Sequence, residues 1–119
     1  MLDFINNECR YIVPRMIRSD TRKEIHFNVI LYRCKDKIQP EFSATVNISK
    51  GGCFIFSTRE WEEGNDVWIQ IKELKNNELI CGQIRHVVRW GKSMRFPGIS
   101  VEFRCISVSQ IEEISNQCQ

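Results

Sequence analysis

Phe42-Ser43-Ala44-Thr45-Val46-Asn47-Ile48 runs into Ser49-Lys50-Gly51-Gly52 and then into Cys53-Phe54-Ile55-Phe56, and the architecture hangs on this run. Strand side chains alternate between faces, so Phe42, Ala44, Val46 and Ile48 are predicted to share one face. Ser43, Thr45, Asn47 and Ser49 take the other. The glycines supply a turn or a place where another group approaches the backbone closely. Asn47 and Ser49 are then neighbours on the polar face of a strand end. Each is both donor and acceptor, which makes a small polar docking ledge. A strand, a Ser/Gly turn and another strand describe the same residues equally well, so a function needs a second signal.

Outward from this hairpin the same period repeats. Phe27, Val29 and Leu31 alternate with more polar neighbours and predict a first strand over 24–33. The second covers 41–48 and the third 53–57. Val67, Ile69 and Ile71 mark a fourth, 79–90 a long fifth with a twist or bulge, and Ile99, Val101 and Phe103 a sixth. Aromatics such as Phe27, Phe42 and Phe103 fall on core positions. Residues 59–65 read as a polar connection, and Lys75-Asn76-Asn77 as a hairpin turn in which Asn tolerates a positive φ. After the sixth strand the period changes: Val108, Ile111, Ile114 and Cys118 recur at helical spacing. Ser107 with Gln110, or Ser109 with Glu112, fits a capping box. Six short, hairpin-linked strands predict an all-β fold, an antiparallel sheet closing into a barrel, with a C-terminal helix over an open end or edge.

With 119 residues the chain has room for one domain and a real core. Its 42% hydrophobic and 27% charged residues are those of a globular protein. No stretch has the length of a membrane span, and Asp3 and Glu8 interrupt any leader-like run, so a cytoplasmic protein without a membrane partner is expected. The six cysteines form no Cys-x-x-Cys pair, and neither His26 nor His86 completes a metal spacing; buried thiols and no metal site are expected. No nucleophile-base pair or phosphate loop stands out. The adjacent acids Glu62-Glu63 and Glu112-Glu113 diverge on any regular element, so no enzyme is expected.

The net charge is only +2, which argues against coating a polymeric nucleic acid. Its distribution is uneven. Arg10, Arg15, Arg18, Arg22 and Lys23 crowd one segment against Asp20 alone, and Arg85, Arg89, Lys92 and Arg95 form a second cluster. Either suits a small polyanion. Arg18 and Arg22 stand four apart in an aperiodic segment that can fold over a ligand. Arg85 and Arg89 repeat that spacing inside a strand pattern, where a solvated face is the plain reading.

Arg18-x-x-x-Arg22 followed two strands later by Asn47-x-Ser49-x-x-Gly52 resembles the paired signature of the PilZ domains, bacterial receptors for cyclic di-GMP. Val87-Val88-Arg89 and Gly98-Ile99-Ser100-Val101-Glu102-Phe103 resemble that family's last two strands. The likeness runs from about Arg18 to the end. It implies a six-stranded split barrel with a C-terminal helix over 18–119 and an N-terminal arm over 1–17. It also implies cyclic di-GMP as ligand, no further cofactor, and a downstream protein partner in motility, polysaccharide and biofilm, or virulence control. Arg18 and Arg22 would grip phosphate and guanine, since a guanidinium forks onto phosphate oxygens and onto the O6/N7 edge. Asn47 and Ser49 would meet the base or ribose-phosphate, with Gly52 keeping the ledge open. Arg15 and Lys23 add phosphate attraction or stand as a solvated arm; Trp90 stacks a base or packs. Two other readings remain: a PilZ-like adaptor that binds only protein, and a small barrel for single-stranded nucleic acid. The low net charge and core-facing aromatics weigh against the latter.

Overall fold

The computed structural model describes residues 23–89 and 96–118. Six strands follow in order: β1 (Asn28–Tyr32), β2 (Glu41–Ser49), β3 (Gly52–Phe56), β4 (Asp66–Ile71), β5 (Ile80–Val88) and β6 (Gly98–Cys105). Among the described residues one helix, α1 (Val108–Gln117), follows β6. Every neighbouring pair is antiparallel, and the strands close in the order β1-β2-β3-β6-β5-β4. Closure comes from β1 against β4, with Val29 opposite Ile71 and Leu31 opposite Ile69. This is the predicted barrel, and it leaves no sheet edge for the helix to cover.

The interior follows from alternation. Val29, Leu31, Cys53, Ile55, Val67, Ile69, Ile71, Ile80, Ile84, Ile99, Val101 and Phe103 all point into one core. Burying an aliphatic or aromatic side chain contributes about 1.5–3 kcal/mol, so this lining supplies most of the driving force. Trp61, inside the stretch expected to be a polar connection, is only 2% exposed and plugs one end of the barrel. Its indole Nε1 donates to Glu41 Oε1 (3.2 Å) and Ser57 Oγ (3.1 Å). The Arg33 guanidinium lies over its ring at 4.2 Å.

β2 departs from simple alternation. Its register on β3 shifts between Thr45, opposite Ile55, and Asn47, opposite Phe54, so Val46 is an extra residue in a bulge. Upstream of the bulge the phase is the reverse of that expected. Phe42 is 71% exposed and Thr45 1%. The inverted phase is tolerated because the inward polar groups are satisfied. Thr45 Oγ1 donates to the Ile25 carbonyl (2.6 Å) and accepts from Phe27 N–H (2.8 Å). Glu41 accepts from Ser57 Oγ (2.7 Å) as well as from Trp61. Past the bulge Ile48 faces inward, as the sequence predicts.

Other boundaries move less. Strand β1 is shorter than 24–33, and residues 24–27 run as irregular chain after a lone bridge at Lys23. The β4–β5 connection needs no positive φ at Asn76 or Asn77; among the described residues such angles fall at Lys37, Gln39 and Gly64. Asn76 instead donates from Nδ2 to Ser107 Oγ (3.1 Å) and Ser109 Oγ (2.9 Å), tying the connection to the helix start. Cys34, Cys53, Cys81 and Cys118 stand outside any disulfide, whereas Cys105 is disulfide-bonded, contrary to the expectation of thiols throughout.

α1 begins with the first of the two expected capping boxes. Gln110 N–H donates to Ser107 Oγ (3.2 Å), and Ser107 N–H donates to Gln110 Oε1 (3.1 Å). The buried Gln110 amide also donates to the carbonyls of Asn76 (3.0 Å) and Glu78 (2.9 Å). Ile114 enters the core. The helix thus crosses the barrel end opposite Trp61, from the β4–β5 connection to the end of β2.

Candidate functional site

The β2–β3 hairpin is built as the motif requires. Ser49 pairs with Gly52, and Lys50-Gly51 form a two-residue turn. Gly51 N–H donates to Ser49 Oγ (3.2 Å), and the Gly51 carbonyl accepts from Phe103 N–H of β6 (3.0 Å). The turn is therefore pinned from both sides. Asn47 and Phe54 make the next pair on the outer face. Ser49 is 5% exposed, less open than a ledge read from alternation alone. Its hydroxyl oxygen serves the turn, and its proton remains available as a donor.

Between Asn47 and Ser49, Ile48 holds two other parts of the chain by its backbone. Lys23 N–H donates to the Ile48 carbonyl (2.9 Å), and Ile48 N–H donates to the Lys23 carbonyl (2.8 Å). Cys118 Sγ, at the C-cap of α1, donates to the same Ile48 carbonyl (3.4 Å). Burial pushes the Cys118 thiol above its ordinary value, with the Lys23 ammonium partly opposing the shift. Lys23, the hairpin and the helix end thus meet at one residue. Arg18 and Arg22, with Arg15 and Trp90, lie outside the described residues; Asn47, Ser49 and Gly52 lie close together on the β2–β3 hairpin.

The outer face continues sideways from the hairpin. Gly52 pairs with Glu102 of β6, and Glu102 pairs in turn with Gln83 of β5. Arg85 Nη1 lies 3.3 Å from Glu102 Oε1, and Arg104 Nη1 donates to Gln83 Oε1 (2.8 Å). This charged strip beside Gly52 was not legible in sequence. Alternation puts Glu102 and Arg85 on an outer face but does not say that β6 is the neighbour of β3. Two open clefts, one lined by Ser57, Arg59 and Arg89 and one by Arg33, Trp61 and Trp68, do not include the motif residues.

A closed antiparallel barrel of six strands, with a C-terminal helix across one end and an Asn-x-Ser-x-x-Gly hairpin between β2 and β3, defines a class of small β-barrel modules. The PilZ domain model matches residues 15–119, and the chain belongs to the PilZ family of cyclic di-GMP receptor domains. Among solved structures it is similar to the inhibitor of motility MotI/DgrA of Bacillus subtilis, with a TM-score of 0.65 and 16% identity over 82% of this chain. The alignment takes in 46% of that protein, so this chain spans about half its length. It is also similar to the PilZ domain of CeSA from a cellulose-synthesizing bacterium, with a TM-score of 0.53 and 16% identity over 83% of this chain and 94% of that one. No curated protein matches the chain. Among the described residues no helix is long and apolar enough to cross a membrane.

Proposed function

We propose that this protein is a cyclic di-GMP receptor that changes conformation on binding and signals to a downstream protein. The observation that carries the reading is the two-bond bridge between Lys23 and Ile48. Arg22 directly precedes Lys23 in the chain, and Lys23 is hydrogen-bonded to the residue between Asn47 and Ser49. This closeness in the chain supports a site that draws on both halves of the motif. Arg18 and Arg22 bind phosphate and guanine, Asn47 and Ser49 bind the base or ribose-phosphate, and Gly52 admits the ligand to the strand. Several charge-assisted hydrogen bonds of about 1.5–3 kcal/mol each support roughly micromolar affinity, which needs about 8 kcal/mol.

Residues 1–17 act as the arm and 18–119 as the receptor domain. Ligand ties the arm to the barrel, and the altered surface is what the partner reads. The role is regulatory rather than catalytic, in the cytoplasm, with motility, polysaccharide or virulence as the controlled output. Calorimetric titration with cyclic di-GMP, with GTP as control, tests it: saturable binding at micromolar concentration or tighter is expected, and it is lost in Arg22→Ala. The burial of Ser49 favours one alternative, an adaptor that binds protein without nucleotide. Absence of binding by a folded sample selects it.

A further inference from the structure

We propose that Glu102 and Arg85 together read the Watson–Crick edge of a guanine and so set the base specificity of the site. The inference rests on the cyclic di-GMP reading above and adds residues that lie outside the Arg-x-x-x-Arg and Asn-x-Ser-x-x-Gly motifs. Glu102 is the β6 partner of Gly52, the position where the motif leaves no side chain. Neighbouring strands are about 4.8 Å apart, so the Glu102 backbone lies roughly 10 Å from that of Ser49, two strand spacings away. A ligand seated on Ser49 and crossing Gly52 reaches Glu102 next.

The pair presents the right chemistry. Arg85 Nη1 stands 3.3 Å from Glu102 Oε1, which holds the carboxylate in place. Gln83 Oε1 accepts a second hydrogen bond from the same Nη1 (3.4 Å), adding to the hold on that end of the guanidinium. Arg85 still has N–H groups to give, because a guanidinium carries five, and the carboxylate has further lone pairs. A guanine shows one acceptor, O6, followed by two donors, N1–H and the N2 amine. An Arg85 N–H followed by the two Glu102 oxygens is the complementary order, donor, acceptor, acceptor, which is the order cytosine presents. Adenine shows a donor followed by an acceptor and so sets its N1 lone pair against a carboxylate. Side-chain exposures of 42% for Arg85 and 19% for Glu102 leave both within reach from the outer face.

The test is calorimetric titration of the wild type and Glu102→Gln with cyclic di-GMP, cyclic di-AMP and cyclic di-IMP, whose base lacks the N2 amine. Wild type is expected to bind cyclic di-GMP about tenfold or more tightly than cyclic di-IMP, and cyclic di-AMP weakly or not at all. In Glu102→Gln, one acceptor is replaced by an amide N–H. Cyclic di-GMP affinity should fall about tenfold or more and the preference over cyclic di-IMP should collapse, with the circular dichroism of the barrel unchanged. Arg85→Lys should weaken all guanine and hypoxanthine ligands alike, because it loses the held geometry without changing the acceptors. Wild-type binding of cyclic di-GMP with an unchanged preference in folded Glu102→Gln overturns the assignment of Glu102 and leaves the receptor reading intact. Failure of the wild type to bind cyclic di-GMP overturns both.

Discussion

Thr45 shows how much one residue decides. Its hydroxyl donates to Ile25 and accepts from Phe27, so it stitches the irregular chain before β1 onto β2 within a buried site. Thr45→Val keeps the shape and strands both partners. A loss of about 1–3 kcal/mol is expected in urea denaturation, the cost of leaving buried polar groups unsatisfied. The sequence carried the identity of Asn47, Ser49 and Gly52 but not the orientation of Thr45 or Phe42. Both look like ordinary members of an alternating strand, and only the pairing with β3 reveals the bulge that reverses them. Trp61 was hidden for a related reason: its neighbours are charged, and nothing local says that the connection folds back over the barrel mouth. Arg22 belongs at this scale too. A folded Arg22→Ala with cyclic di-GMP affinity unchanged in calorimetry would refute the role assigned to Arg22.

At the scale of elements, the strands and helix were largely readable because their apolar periods are clean and their ends carry turn or capping residues. The long fifth strand announced its irregularity, and β5 indeed shifts register on β6 at two places. The junction between α1 and β2 was not readable, since it joins residues seventy positions apart. Ser107→Ala removes the cap and is expected to cost about 1 kcal/mol, read as a lower urea midpoint. At the other helix end, native Cys118 holds its proton more tightly than the unfolded chain does, because burial raises its value. Its contribution is therefore full below the unfolded thiol value and is lost as pH climbs through the raised native one. Alkaline titration of stability should show a fall in the wild type that is smaller in Cys118→Ser, whose hydroxyl keeps a donor for Ile48 and does not titrate in that range.

Across the whole molecule the barrel depends on seams where strands distant in sequence come close. Gly98 opens β6 between Phe56 of β3 and Val88 of β5. A Cβ there would overlap the Ile55 carbonyl oxygen and press on the Phe54 ring at 3.0 Å. Gly98→Ala is expected to destabilise the fold by about 1–3 kcal/mol in denaturation, as overpacking does. Composition had already indicated a globular chain and the low net charge spoke against a nucleic-acid coat, whereas the order of strands around the barrel had to be seen.

That β1 and β4 close the circle has a bearing on how any signal leaves the molecule. Among the described residues the closed circle offers no unpaired row of main-chain amides, so a partner does not join the barrel by adding a strand of its own. Whatever reads this protein must do so through side chains and loops, and its choice of partner is therefore written in surface residues that can change from one relative to the next while the barrel beneath them stays the same.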